Sequence, residues 1–360
     1  MTLRPDPIET LARARADLRM GVPVVLWDGT QGLMAVAAEC ISADRLGQIK
    51  ALPGVTVTIT NWRAETLKAA AYDGDIARIM LPQDADLRWL NGVADPSSDL
   101  STPLKGPFRM AREGDATLHR AAVALAKSAR LLPTVVTAPV PTGFAAKNDL
   151  TQIDLSQGTS EITDFSPLHA IVAARLPLSV SEAGRLHVFR PEDGGEEHYA
   201  VEIGNPDRQQ PVLTRLHSAC LTGDLLGSLK CDCGPQLRGA MAQMGEEGAG
   251  ILLYLNQEGR GIGLANKMRA YSLQDQGFDT VDANHRLGFE DDERDFRIGS
   301  EVLKSLGVSR IRLLTNNPAK TAMMEANGIA VTAREPLKVG ENAHNHDYLA
   351  TKAKKSGHLL

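Results

Sequence analysis

Cys220-Leu221-Thr222-Gly223-Asp224 and, shortly after it, Cys231-Asp232-Cys233-Gly234 hold three of the chain's four cysteines. Three thiolates are one short of the four ligands that close a structural zinc site. A tetrahedral metal held by three protein ligands keeps one position for water, as hydrolytic chemistry needs. If Cys231 and Cys233 lie on an extended segment, the period of two turns both sulfurs to one face, and Cys220 closes the triangle from the turn 221–224. The same spacing also suits buried free thiols packed as small hydrophobes. His217 is either a fourth ligand or a hydrogen-bonding neighbour, and a fourth protein ligand would displace the water.

Outward from the cysteines the pattern alternates. On the C-terminal side it predicts a helix over 238–247, a strand over 250–255 and a helix over 264–276. A helix over 298–306, a strand over 310–315 and a helix over 318–327 follow, the last with Asn317 as N-cap and Pro318 at its first position. On the N-terminal side, strands over 184–190 and 197–204 flank the turn Glu192-Asp193-Gly194-Gly195-Glu196. Further upstream, helices are expected over 7–18, 43–52 and 116–131, and strands over 22–27 and 55–61, the latter from alternating β-branched residues. A loop is expected near 95–107, and Cys40 is expected as a core residue. No internal repeat is visible. These elements imply an α/β (α+β) fold of two domains, each a mixed sheet with flanking helices: 1–138, a linker over 139–167, and 168–360.

The chain of 360 residues is long enough for two cores. Its net charge of -5, without a Lys/Arg block, argues against general nucleic-acid affinity. Aromatic residues make up 4%, too few for base-stacking platforms. No apolar run approaches a membrane span, and the first residues lack the basic-then-apolar pattern of a signal peptide. The expectation is a cytoplasmic protein with reduced thiols, no membrane partner and no nucleic-acid partner.

Three further constellations bear chemistry. Gln257-Glu258-Gly259-Arg260-Gly261-Ile262-Gly263 sits between a predicted strand and helix, where glycines let backbone N–H groups approach a phosphate, or simply make a tight turn. It is neither a Walker A loop nor G-x-G-x-x-G, because Asn266 stands at the last glycine. Asp292-Glu293-Arg294-Asp295 is a solvated charged surface or a general-base and phosphate-contacting cluster. Leu314-Thr315-Asn316-Asn317-Pro318-Ala319-Lys320 ends a strand and opens a helix, which places Thr315 and Lys320 where α/β folds bind ligands. Periodicity leaves Tyr271 open between core and site.

Together these segments resemble GTP cyclohydrolase II. The resemblance runs from about Leu176 to Leu360 and also rests on Arg215-Leu216-His217-Ser218, Asn284-His285, Phe296, Leu313 and the ending Gly357-His358-Leu359-Leu360. It implies one zinc per subunit on Cys220, Cys231 and Cys233, with water directed at guanine C8 and formate leaving. Asp292 matches the family's proton acceptor. Arg294 matches a residue assigned as nucleophile at the α-phosphate, although a guanidinium that stays protonated serves more simply as an electrostatic stabiliser. Tyr271 matches a tyrosine that goes with the full reaction. The GTP-contacting positions are Arg215, Leu216, His217, Ser218, Ala219, Gln236, Glu258, Gly259, Arg260, Thr280, Thr315 and Lys320, with magnesium on the triphosphate. Many members carry Glu where Ala219 stands. The implied activity opens the guanine ring of GTP in the first step of riboflavin biosynthesis, in a homodimer. Two other readings are a cyclohydrolase II-like enzyme of uracil catabolism and a GTP-binding regulator without turnover.

The N-terminal half, through Arg13 to Val25 and Met110-Ala111-Arg112-Glu113-Gly114, looks like dihydroxybutanone phosphate synthase. That family's acidic cluster is replaced here by Trp27-Asp28-Gly29-Thr30-Gln31-Gly32-Leu33, with one carboxylate, and its His-Thr-Glu segment is missing near Arg120-Ala121-Ala122. A hard cation cannot be held by so few carboxylates, so this domain is expected to be inactive.

Overall fold

The structure is a computed structural model and describes residues 3–103, 105–158, 162–163 and 165–345. The ending Gly357 to Leu360 lies outside the described residues. The chain divides into two compact units. The first takes the chain up to 164 together with Ala265–Glu293; the second takes Phe165–Leu264 and the chain from Arg294 on.

In the first unit, helix α1 (Pro7–Arg19) starts at a capping box: Asp6 accepts from the Glu9 N–H at 2.8 Å and the Glu9 carboxylate accepts from Asp6 at 2.9 Å. Strands β1 (Val24–Trp27) and β2 (Gly32–Ala37), helix α2 (Ala43–Ile49) and strand β3 (Thr56–Thr60) follow. Next come α3 (Asn61–Leu67), β4 (Ile76–Met80), α4 (Leu87–Ala94), α5 (Thr117–Ser128), β5 (Thr134–Val140), α6 (Phe144–Lys147) and β6 (Gln152–Asp154). The six strands form one mixed sheet in the order β4-β3-β5-β2-β1-β6, all neighbours antiparallel except β1 with β6. Every residue of β3 is buried. Val57 and Ile59 fill one face, while Thr56 pairs its hydroxyl with Thr137 at 2.8 Å, so the alternating threonines are satisfied inside rather than wetted. The stretch expected as a linker, 139–167, carries α6 and β6, and Ile153 and Leu155 are buried in the core with α1 and α5. Aperiodic composition conceals a strand this short, because three residues show no period.

The second unit begins with β7 (Leu168–Arg175), β8 (Gly184–Pro191), β9 (His198–Gly204) and β10 (Val212–Ser218). Helix α7 (Cys233–Glu247) and β11 (Ala249–Leu255) follow, after which α8 (Leu264–Asp275) and α9 (Thr280–Leu287) run into the first unit. Then α10 (Arg297–Ser305), β12 (Arg310–Leu314), α11 (Pro318–Ala326) and β13 (Ala330–Glu335) complete the second. Its sheet order is β13-β12-β10-β11-β9-β8-β7. The first four strands in that order are mutually parallel and the rest antiparallel.

Alternation along the parallel strands covers both faces. Val212, Leu216, Ile251, Leu253, Ile311 and Leu313 pack with α10 and α11, and Leu213, Leu252 and Leu314 pack with α7. Asn317 caps α11 by accepting from Ala319 at 2.9 Å, with Pro318 at the first position. At about 1 kcal/mol the cap weighs less than a single buried Leu or Met, at about 1.5–3 kcal/mol, so packing holds α11 and the cap sets where it starts. From β10 the chain moves to β11, and from β12 to β13, in opposite directions along the sheet. The carboxyl ends of β10 and β12 therefore border a switch point, where open α/β sheets bind ligands. Among the described residues no helix is long and apolar enough to cross a membrane.

Candidate active site and metal centre

Cys220 lies two residues beyond the end of β10, and Cys233 is the first residue of α7. A single π-type turn, Leu221–Leu225, folds the chain back so that the three sulfurs lie within 4.8 Å of one another. Cys220 Sγ is 3.7 Å from Cys231 Sγ. The expected extended segment is not what aligns them. Asp232 has φ -96° and ψ 5°, the start of a helical turn, and this curl brings Cys231 and Cys233 together. Gly223 closes the cradle from below: a Cβ there would lie 2.8 Å from Cys231 Sγ and 3.1 Å from Cys220 Sγ. Contact with Cys220, followed by the remaining sulfur and burial, pushes the Cys233 thiol well above its usual range, and Cys220 also pushes the Cys231 thiol up. Three crowded sulfurs can shed their protons together only when a cation shares the cradle, and an all-thiol donor set suits zinc.

Asp224, on the same turn, ties the cradle to the sheet. Its carboxylate accepts from the Cys220 N–H at 2.9 Å and from the Tyr254 hydroxyl at 3.0 Å, and His217 Nε2 lies 3.0 Å from both of its oxygens. Burial lowers the pKa of His217, so the ring is neutral and Nε2 donates. Burial and the Asp224 charge push the Tyr254 phenol upward, so it also remains a donor.

Beside this network stands a cluster of cations. Arg215, in β10, donates to the Leu314 carbonyl at 2.9 Å and to Gln236 Oε1 at 2.5 Å, and Gln236 donates to Asp232 at 2.5 Å. The Arg215 Nε is buried without a hydrogen-bond partner among the described residues, as is Gln257 Oε1. Burial pushes the Arg215 guanidinium down to about 10, with the nearby Arg294 charge acting in the same direction, yet it stays protonated at neutral pH. Arg294 and Lys320 both lie over the Phe296 ring, at 4.9 and 5.6 Å from its centroid. Arg294 Nη1 is 3.4 Å from Ser218 Oγ, and Lys320 donates to the Leu216 carbonyl at 3.2 Å. Three clustered cations at strand ends, with orphaned polar atoms among them, are suited to a polyanion. In the turn after β11, Gly259 and Arg260 are both left-handed, at φ 64° and 61°. A non-glycine residue held there stores strain of about 1–3 kcal/mol, as functional loops do.

Comparison with known proteins bears directly on this geometry. The family model described as GTP cyclohydrolase II matches residues 169–336. A GTP cyclohydrolase-2 of Azospirillum brasilense is 42% identical over 97% of this chain and 93% of its own length. The chain belongs to the GTP cyclohydrolase II family. A GTP cyclohydrolase-2 of Azotobacter vinelandii is 55% identical over 53% of this chain and 91% of its own length. The riboflavin biosynthesis protein RibBA of Bacillus velezensis is 54% identical over 49% of this chain and 44% of its own length.

The residues expected of a GTP cyclohydrolase II fall into two groups. Arg215, Ser218, Ala219, Gln236, Glu258, Gly259, Arg260, Arg294, Thr315, Lys320 and the cysteines are in the second unit. Leu216 turns its side chain into the core and offers its carbonyl, and His217 serves the Asp224 network rather than the sulfur cradle. Glu258 accepts from the Leu221 N–H at 2.6 Å, and Thr315 accepts from the Asn317 N–H at 3.0 Å. Tyr271, Thr280 and Asp292 belong to the first unit: Tyr271 on α8 with Lys267 5.6 Å from its ring, Thr280 opening α9, and Asp292 exposed on the following loop. Sequence reasoning singled out neither Tyr254 nor Asp232. Both carry a signal: Tyr254 lies in register beside His217 on the parallel neighbour strand, and Asp232 stands four residues before Gln236 at the start of a helix.

Proposed function

We propose that the second unit hydrolyses GTP, opening the imidazole ring of guanine at C8 and releasing formate and pyrophosphate, and so begins riboflavin biosynthesis. The observation that carries this reading is the sulfur cradle set beside three cations at one switch point of the sheet. Cys220, Cys231 and Cys233 would hold a zinc ion, which when bound supplies Lewis acidity toward C8. Asp224 keeps the cradle rigid through His217 and Tyr254. Arg215, Arg294 and Lys320 bind the triphosphate and oppose the charge that develops on it, with magnesium sharing that charge. Arg294 acts as a cation, since a guanidinium keeps its proton. Asp292 takes a proton, and Tyr271 and Thr280 complete the substrate contacts. Glu258 and the strained turn at Gly259 and Arg260 orient the nucleotide.

The first unit, the chain up to 164 together with Ala265–Glu293, is a synthase-like domain without its reaction. The single carboxylate of its former metal loop, Asp28, accepts from the Thr30 N–H, the Thr30 hydroxyl and the Gln31 N–H, each at 2.8 Å. These bonds pull Asp28 down to about 2, the Gln31 N–H contributing most. The group is a turn anchor. The protein is expected to work in the cytoplasm as a homodimer, consistent with the exposed Ile171 and Val172 of edge strand β7.

Incubation of zinc-loaded protein with GTP and magnesium should yield formate, pyrophosphate and a diaminopyrimidine phosphate in equal amounts. GTP left intact would reject the reading. The same sample should leave ribulose 5-phosphate unchanged, and its turnover would overturn the assignment of the first unit.

A further inference from the structure

The segment Ala265–Glu293 belongs in sequence to the stretch that the family model matches, yet it packs within the first unit. It carries Tyr271, Thr280 and Asp292. Its anchors are groups from the N-terminal half, spread along its length. Near its start Asn266, fully buried, donates to the Arg130 carbonyl at 3.0 Å. In its middle the Trp62 ring of α3 stacks on His285, with centroids 3.7 Å apart and planes 3° from parallel, and the indole N–H donates to Glu290 at 3.0 Å. Thr60 donates to the Gly288 carbonyl at 3.0 Å. Gly288 itself has φ +89°, and a Cβ there would come within 2.8 Å of both Pro133 and Thr60. Only glycine permits so close an approach. At its end Lys127 of α5 reaches Glu293 at 2.7 Å, one residue beyond Asp292.

We propose that the N-terminal half serves the reaction as a scaffold: Trp62 and Lys127 are positioning residues that hold Ala265–Glu293 in the conformation in which Tyr271, Thr280 and Asp292 act on GTP. This deepens the functional reading above and rests on it. A domain whose own metal loop has become a turn keeps a role through the side chains that grip this segment. Stacking and a charge-assisted hydrogen bond supply what positioning requires, since both fix orientation as well as distance. Displacing reacting groups by a fraction of an ångström slows a reaction strongly while leaving most ground-state binding in place.

The test uses the full-length, zinc-loaded protein with Trp62→Ala, Lys127→Ala and the two combined. Each single variant should lower kcat for GTP about tenfold, and the pair further, with KM changed by no more than about threefold. Zinc content should equal that of the wild type. Amide exchange should rise within 265–293 while β2, β5, β10 and β11 keep their protection. Trp62→Phe, which retains a ring to stack, should recover most of the rate. Wild-type kcat in the double variant would overturn the proposal. So would a loss of kcat accompanied by equal loss of protection across β2 and β5, which would mark a merely structural role. A wild-type protein that leaves GTP intact would instead overturn the functional reading itself, and the two failures are told apart by which protein is silent.

Discussion

Asp224 ties the sulfur cradle to the sheet, because its one carboxylate receives hydrogen bonds from Cys220, His217 and Tyr254. All three donors lose their acceptor if it is removed, and His217 is 3% exposed, so water cannot replace it freely. Asp224→Ala should destabilise the second unit by about 3 kcal/mol and lower its metal content, measured by urea denaturation and metal analysis. In the first unit His119 poses the opposite problem. Its Nδ1 is buried without a hydrogen-bond partner among the described residues, and burial, helped by the Arg78 charge, pushes its pKa down from 6.5 to about 4. The unfolded chain therefore takes up a proton that the folded one refuses between those values. Stability associated with His119 is present above pH 6.5 and lost as pH falls toward 4, about 3 kcal/mol in all. Denaturation at pH 7 and pH 4.5 should show that loss, and His119→Gln should flatten it.

At the scale of the element, the turn Leu221–Leu225 decides whether three sulfurs meet. Gly223 lies so close to them that any side chain intrudes: a Cβ would also come within 3.0 Å of Cys233 Cβ. Overpacking of this kind costs about 1–3 kcal/mol, and the turn can relieve it only by spreading the cysteines. Gly223→Ala should weaken metal binding by about tenfold or more, measured by competition with a chromophoric chelator, while β10 and β11 retain their exchange protection. An unchanged affinity would show that the cradle gives way elsewhere.

For the whole molecule, two cores imply two responses to loss of metal. A metal ion held by the three sulfurs would stabilise the folded second unit by mass action, about 4 kcal/mol when free metal stands roughly a thousandfold above its Kd. Chelation should therefore lower the unfolding transition of the second unit and expose β10 and β11 to exchange, while β2 and β5 of the first unit stay protected. Loss of protection in both sheets at once would show that the two units unfold together.

The sequence alone was sufficient wherever chemistry is local. Cysteine spacing pointed to three thiols that meet in one cradle, Asn317-Pro318 marked the start of α11, and alternating β-branched residues over 55–61 marked a strand. The single carboxylate of 27–33 was likewise visible without coordinates, because residue types need no fold to be read. Tertiary structure was needed wherever a residue's role depends on a partner distant in the chain. Asp224 became the keystone of the cradle only when β11 brought Tyr254 beside it. The stretch 139–167 gained a strand because β1 offered an edge to pair with. The segment Ala265–Glu293 shows the division most plainly. Its residues read as part of the catalytic half, yet its packing partners are Thr60, Trp62, Lys127 and Pro133. Local preference and motif spacing act over a few residues, whereas burial pairs surfaces without regard to their separation along the chain, and only the folded molecule shows which surfaces those are.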